Sequence, residues 1–517
     1  MIDTIDALLR ERAAEYPDKT AVVEPDARIN YRELDCTTAD LAAKLVQLGV
    51  GKGTRVGLIM PNGVRWVQLA LAVTRIGAVL VPLSTLLTPT ELASQLKVAA
   101  VEYLIAVEEF RGHRYLDRLP HHQGPDLPAL RQVWTADAVA AQRPDPGPRD
   151  LPAALGAAVS PSDLLLIMFT SGSSGTPKGV LHSHGSALGA VRSGLHARCI
   201  DADTRLYLPM PFFWVGGFGA GILSALLAGA TLVTEPSPGP DSTLALLERE
   251  RVTLFRGWPS QADTLAHQQD SVRADLSALR PGSLDALLPA EQRAQPGRRA
   301  NLFGMTESFG PYCGYPADTD LPETAWGSCG RPFEGMQVRI VDRRTGAPLA
   351  PGAEGMIQIR GPHILRGICR RSREEVFTPD SYYPTGDLGH LDDAGFLFYH
   401  GRADDMFKVS GAAVYPSEVQ RTLRTLDGIH DAYVINVPGP QGNQVGAVVV
   451  APGAPTPGQL TVAAKNVLSS FKVPTRWRVL TSDMDLPRGP TGKIDPNILR
   501  EILCHSEQSK ENTCIND

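Results

Sequence analysis

The chain has 517 residues, 43% of them hydrophobic and 21% charged, enough for about three or four folding units with sizeable cores, and its composition excludes a disordered or fibrous protein. The net charge of -6 argues against a nucleic-acid binder, which needs a basic field to release phosphate counterions. The 7 cysteines are odd in number and contain no CxxC pair, so neither a disulfide framework nor a zinc site is expected, and a reducing, cytoplasmic setting is.

In chain order, the opening residues "MIDTIDALLRERAAEYPDK" carry charges through what an export signal would need as its apolar centre. Then "YRELDCTTADLAAKLVQLG" is amphipathic at helical spacing, "RVGLIM" is a short apolar strand, and "RWVQLALAVTRIGAVLVPL" reads as helix then strand. This alternation predicts βαβ units and a mostly parallel sheet. The stretch "AQRPDPGPRDLPAALGAAVSPSD" separates it from the strand "LLLIMF", after which an α/β pattern resumes to about residue 330. Two sheet subdomains are expected, one on each side of that linker.

The segment "WVGGFGAGILSALLAGATLV", 214–233, is uncharged over a length that could cross a bilayer. Glycines at 216, 217, 219, 221 and 229 interrupt it, and it reads as a buried helix leading into a strand, with membrane contact peripheral at most. Between about 330 and 400, "MQVRIVD", "GMIQIRG" and "GFLFYHG" are short strands with turn signals, a small β-unit. A last α/β stretch, with "AYVINVP", "GAVVVAPG" and "RWRVL", begins after "GRADD" at 401–405. The expected division is therefore 1–400 and 401–517.

The most informative stretch is "TSGSSGTPKGV", which follows the strand "LLLIMF". Gly172 and Gly175 let backbone N–H groups converge on an anion, Thr170, Ser171, Ser173, Ser174 and Thr176 add donors, and Lys178 adds a positive charge. Phosphate is the natural guest. A Walker A loop is excluded, because Lys178 stands between Pro177 and Gly179 where that motif needs Gly before and Ser or Thr after. Alone, the segment would also suit a Ser/Gly-rich surface loop.

It does not stand alone. "FTSGSSGTPKGV", "NLFGMTES", "YYPTGDLG", "GRADDMFKVSGAAVYPSEV" and "LPRGPTGKID" occur in the order and spacing of the adenylate-forming superfamily of acyl-CoA synthetases, luciferases and peptide-synthetase adenylation domains, which the chain resembles over nearly its whole length. The resemblance implies a large α/β N-terminal domain of two sheet subdomains plus a small β-unit, followed by a small mobile α/β domain. It implies that the 170–178 loop cradles the β- and γ-phosphates of ATP, that Phe303 stacks on adenine, that Thr306 bonds the α-phosphate or the acid, and that Glu307 holds Mg²⁺. Asp387 and Arg402 resemble the ribose contacts, and Lys493 resembles the lysine that bridges acid and α-phosphate as two anions approach. Asp404 matches the pivot on which the family swings its small domain, a motion that would bring Lys408, Ser410 and Gly411 to line the thiol's path.

"SSFKVPTRW" resembles the Lys-x-Pro signature of acyl-CoA synthetases, which favours CoA over a carrier protein as acceptor. "PMPFFWVGGFG" matches the family's acyl-pocket segment. Phe212, Phe213, Trp214 and Gly217 offer no carboxylate for a substrate ammonium, so an uncharged, largely apolar acid is expected. Two departures stand out: Trp214 replaces a common His, and Gly282 and Ser283 are the nearest match to the turn that admits adenine. The expectation is an acyl-CoA ligase of fatty or related acids, cytoplasmic, a candidate homodimer, using Mg·ATP and CoA. A carrier-loading acyl-AMP ligase and a catalytically weakened nucleotide-binding relative stand as alternatives.

Overall fold

The structure is a computed structural model that describes residues 3–116, 127–142, 151–170, 177–403, 405, 407–409, 412–439, 442–468, 470–488 and 494–505. The chain divides into two compact units. One comprises 1–338, 359–383 and 395–397, and the other 339–358, 384–394 and 398–517.

In the first unit two sheets carry the core. The seven-stranded sheet runs Gly367–Ile368, Lys178–Ser183, Leu164–Thr170, Val79–Pro82, Arg55–Ile59, Tyr103–Ala106, Gln132–Thr135. Its strands from Leu164–Thr170 through Gln132–Thr135 are mutually parallel, and the first two add antiparallel at one edge. The five-stranded sheet runs Leu254–Phe255, Arg205–Tyr207, Thr231–Val233, Thr20–Glu24, Ala27–Asn30. The expected alternation of helix and strand is there, but the sheets are not divided at the 141–163 linker. Thr20–Glu24 crosses to pair with Thr231–Val233, Val22 opposite Leu232, while Leu164–Thr170 pairs back with Val79–Pro82. Strand partners are chosen by long-range packing, to which local periodicity is blind.

Local signals do set the helices. Tyr31–Gln47 starts at a capping box, Glu33 N–H donating to Asn30 Oδ1 at 2.7 Å and Asn30 N–H to Glu33 Oε2 at 3.0 Å. Its Leu34, Leu41, Ala42 and Leu45 are buried at the spacing that made it legible. Val64–Arg75 is apolar nearly all round and correspondingly buried, with Trp66 in the core between Phe212 and Phe218. Gly216–Leu223 is a π-helical segment continuing as Ser224–Ala228, closed by Gly229 in the left-handed region at φ 70° and followed by the strand Thr231–Val233. The 214–233 segment is thus the buried helix and strand expected. Among the described residues no helix is long and apolar enough to cross a membrane.

Strands Gln337–Val341, Gly355–Arg360, Tyr383–Leu391 and Leu397–Arg402 form a four-stranded sheet in that order, the small β-unit expected between 330 and 400. The C-terminal part holds Asp431–Gly439 paired antiparallel with Gly442–Val450, which pairs in parallel with Arg476–Leu480. Val419 and Leu423 of helix Pro416–Leu423 pack into one apolar cluster there, and Leu499 and Leu503 of Pro496–His505 into another.

Candidate active site

Thr170 and Lys178 are paired residues of one antiparallel hairpin. Residues 171–176, hence Ser171, Gly172, Ser173, Ser174, Gly175 and Thr176, lie outside the described residues. The hairpin aims Lys178 at the turn of "FGMTES". Lys178 Nζ donates to Glu307 Oε1 and, at 2.8 Å, to the Tyr383 hydroxyl, which donates to Glu307 Oε1 at 3.0 Å. Glu307 is 5% exposed. A carboxylate so far from water needs a compensating charge, and Lys178 supplies it.

The turn that presents Glu307 is held from several sides. Phe303–Met305 pairs antiparallel with Gly310–Gly314, and a Cβ on Gly304 would sit 2.0 Å from the Gly310 carbonyl oxygen, so only glycine lets these strands close. Thr306–Ser308 is a 3₁₀ turn ending at Phe309 in the left-handed region, φ 53°. The Ser308 hydroxyl ties the two arms together, 3.1 Å from the Met305 oxygen and 2.7 Å from that of Gly310. From the strand Lys178–Ser183, buried His182 places Nε2 2.8 Å from the Thr306 carbonyl oxygen, which makes Nε2 the protonated nitrogen, and its ring meets Phe309 edge-on at 4.9 Å. Burial pushes the His182 imidazole down to about 4, so it is neutral at neutral pH.

Phe303 lies on the same hairpin, half-buried, with its ring 5.5 Å from Tyr312. In the expected acyl segment, Phe212 is fully buried against Trp66 at 5.4 Å. Trp214 is half-buried and meets Phe213 and Trp258, each at 5.9 Å. A Cβ on Gly217 would fall 2.1 Å from the Pro211 carbonyl oxygen. On the adenine side, Gly282 has φ 95° and the Ser283 hydroxyl accepts from Phe255 N–H at 3.1 Å, tying this turn to the five-stranded sheet.

In the second unit Asp387 is buried and Arg402 half-exposed, and Arg402 Nη1 donates to Asp387 Oδ1 at 3.1 Å and to the Thr385 oxygen at 2.9 Å. The two residues offered as ribose contacts are therefore side by side. The Thr385 hydroxyl accepts from Asp387 N–H at 3.0 Å and donates to the Ile357 oxygen at 2.9 Å, which fixes the turn. Lys408 belongs to strand Phe407–Val409, opposite Ala413. Asp404, Ser410, Gly411 and Lys493 lie outside the described residues.

Sequence reasoning passed over Tyr383 and His182. Tyr383 stands inside the quoted "YYPTGDLG", so its position in a motif was a signal, but nothing local says that its hydroxyl meets Lys178, which is 205 residues away.

The model of AMP-binding enzymes matches residues 9–369. The 3-[(3aS,4S,7aS)-7a-methyl-1,5-dioxo-octahydro-1H-inden-4-yl]propanoyl:CoA ligase of Mycobacterium tuberculosis is 33% identical, over 96% of this chain and 99% of that one. An indoleacetate–CoA ligase of Aromatoleum aromaticum is 29% identical, over 94% and 96%. Among solved structures, an anthranilate CoA ligase in complex with anthranoyl-AMP superposes with a TM-score of 0.80 at 23% identity, covering 97% of each chain. The o-succinylbenzoate CoA synthetase of Bacillus subtilis, in complex with ATP and magnesium, gives 0.78 at 23%, covering 96% of this chain and 99% of that one.

The chain belongs to the AMP-binding enzyme family. Its reaction is that of an ATP-dependent acid–thiol ligase: acid and ATP give acyl-AMP and pyrophosphate, and acyl transfer to CoA then releases AMP.

Proposed function

We propose that this ligase activates a carboxylic acid that bears no ammonium group, in a pocket walled by Phe213 and Trp214. The absence of any acidic residue in "PMPFFWVGGFG" supports this reading. Fatty, aryl-alkanoic and alicyclic acids all fit it, and we propose beside it a lipid-related role in the cytoplasm, by a homodimer.

The observation that carries the assignment of roles is the Lys178–Glu307–Tyr383 cluster. Thr170, Lys178 and the intervening loop would hold the β- and γ-phosphates. Glu307 is one buried carboxylate, and among the described residues no group of three or more His, Cys, Asp or Glu could hold a metal. That fits Mg²⁺ arriving on the nucleotide's phosphates, since magnesium is held by one or two carboxylates plus phosphate oxygens. Bound there, the ion would offset phosphate charge. With the ion held by Glu307, Lys178 would be free to face the phosphates, so each buried charge would stay compensated. Thr306 positions the acid or α-phosphate, with its backbone anchored by His182. Phe303 supplies the aromatic face for adenine, and Asp387 with Arg402 takes the ribose hydroxyls.

Lys493 bridges the reacting carboxylate and the α-phosphate, neutralising charge as the two anions meet. The segment from 401 onward then swings about Asp404, withdrawing Lys493 and bringing Lys408, Ser410 and Gly411 to the thiol's path. The test is an acid panel of fatty, aryl-alkanoic and alicyclic acids with ATP, Mg²⁺ and CoA, read by pyrophosphate and AMP release. Turnover of at least one such acid is expected, and release of neither product from any of them overturns the reading.

A further inference from the structure

Two buried arginines in the first unit form no ion pair among the described residues. Arg198 follows the helix His184–Ser193 and is 4% exposed. Its Nη1 donates to the Val191 oxygen at 3.1 Å, while its Nε is buried without a hydrogen-bond partner. Arg256 follows the strand Leu254–Phe255. Its Nη2 donates to the Arg198 backbone oxygen at 2.9 Å, and its Nε is likewise buried and unpartnered. Among the described residues neither guanidinium forms an ion pair; burial lowers the Arg256 guanidinium, and Cys199 and Asp318 offset that only in part. Burial, with the neighbouring Arg256 charge, pushes the Arg198 guanidinium down to about 10. Buried charges are ordinarily paired, because leaving an ion unpaired away from water costs several kcal/mol. Here two like charges share one place.

That place adjoins the acyl segment. Arg198 Nη2 lies 3.6 Å from where a Cβ of Gly310 would stand. Gly310 follows Phe309, whose ring meets Phe218 at 6.5 Å. Trp258, two residues after Arg256, meets Trp214 at 5.9 Å. The arginines are thus bracketed by the 212–219 aromatics on one side and the turn after Glu307 on the other. Arg198 also caps the carbonyl end of its helix, but that role occupies one of its five donors and brings it no full negative charge.

Resting on the ligase reading above, we propose that Arg198 and Arg256 form an anion subsite at the inner end of the acyl pocket, so that the acid activated carries a second carboxylate remote from the adenylated one. A ketone or amide oxygen could accept a guanidinium N–H but would leave the charge unbalanced; a carboxylate supplies both. This departs from the uncharged acid expected from the aromatic motif, whose lack of a carboxylate excludes an ammonium but not an anion.

The test uses the full-length protein with linear dicarboxylic acids from glutaric to sebacic, each beside its monomethyl ester, and with ATP, Mg²⁺ and CoA. At least one diacid should exceed its ester in kcat/KM for pyrophosphate release by about 10- to 100-fold, the range of a charged hydrogen bond. Arg256→Gln should erase that preference through KM for the diacid, leaving the ester within about threefold by the same reasoning. Esters that turn over with no diacid preferred overturn this proposal and leave the ligase reading intact. Equal loss for diacid and ester in Arg256→Gln also overturns it, marking the arginines as structural or as ligands of the reacting carboxylate. No pyrophosphate from either series, while the fatty, aryl-alkanoic and alicyclic acids do turn over, again sinks the subsite alone. Silence from every acid removes both readings together. Should Arg198→Gln fail to fold for want of its helix cap, Arg256→Gln decides.

Discussion

Lys178 and Glu307 are 129 residues apart and form one buried ion pair, with the Tyr383 hydroxyl joined to both. The side chains are 19% and 6% exposed. One is the residue proposed for phosphate and the other the residue proposed for magnesium. In this structure each is the other's compensating charge.

Glu307→Gln should therefore act twice. Stability is expected to fall by roughly 2 kcal/mol, less than for a fully buried pair because Lys178 keeps some solvent. Pyrophosphate release should fall by about 10²-fold, in the range seen when one electrostatic partner of a reaction is removed. Urea denaturation and initial rates over a Mg²⁺ titration read the two effects separately, and a rise in the Mg²⁺ needed for half-maximal rate distinguishes loss of a ligand from loss of fold.

Tyr383→Phe removes one hydroxyl and leaves the ring, whose contact with Phe377 at 6.3 Å should survive. A cost of about 1.5–3 kcal/mol is expected, the worth of a hydrogen bond to a charged group. No loss, measured by the denaturation midpoint at unchanged slope, would show that the hydroxyl does not bridge the pair.

Acid should weaken the first unit through His182 and His184. Both are buried, and burial lowers each from 6.5 to about 4. Between those values the unfolded chain binds a proton at each position and the folded chain does not, so stability is full above 6.5 and falls as pH drops towards 4. The loss at the lower end is about 3 kcal/mol per histidine. His182→Gln should reduce the slope of stability against pH in this window by about one proton; an unchanged slope would mean that the imidazole is already charged in the native state.

Gly217→Ala places a methyl 2.1 Å from the Pro211 carbonyl oxygen. The neighbour is backbone and cannot rotate away, so a destabilisation of about 1–3 kcal/mol is expected. Thermal unfolding checks this, and an unchanged Tm would contradict the close approach.

Lys493→Ala is expected to cripple adenylation while largely sparing thioester formation from supplied acyl-AMP and CoA, because only the first step brings two anions together. The two half-reactions measured separately decide; equal loss in both would contradict a lysine that leaves before thiol attack.

How much of this was legible beforehand depended on range. The 3.6-residue stripe of Tyr31–Gln47 and the glycine-broken 214–233 segment are local, and the expectations drawn from them hold in the fold. The ordered motifs identified the family and brought Glu307, Lys178, Asp387 and Arg402 into consideration. The exchange of strands between the sheets was invisible, because a strand's apolar pattern says which face is buried and not which strand lies beside it. Tyr383 stood in a motif without a role, and Arg198 and Arg256 stood in no motif at all.

By itself, then, the order of residues determined the class of reaction and nominated the charges for it: a glycine-rich loop, a carboxylate after "GMT", a lysine in "PTGK". Only the tertiary structure decided which of those charges meet. Coulomb energy in a buried setting depends on a few ångströms and on the loss of water, and both are properties of packing between residues far apart along the chain. The same packing placed two buried guanidinium groups, Arg198 and Arg256, side by side without an ion pair among the described residues, a juxtaposition that no single stretch of sequence spells out.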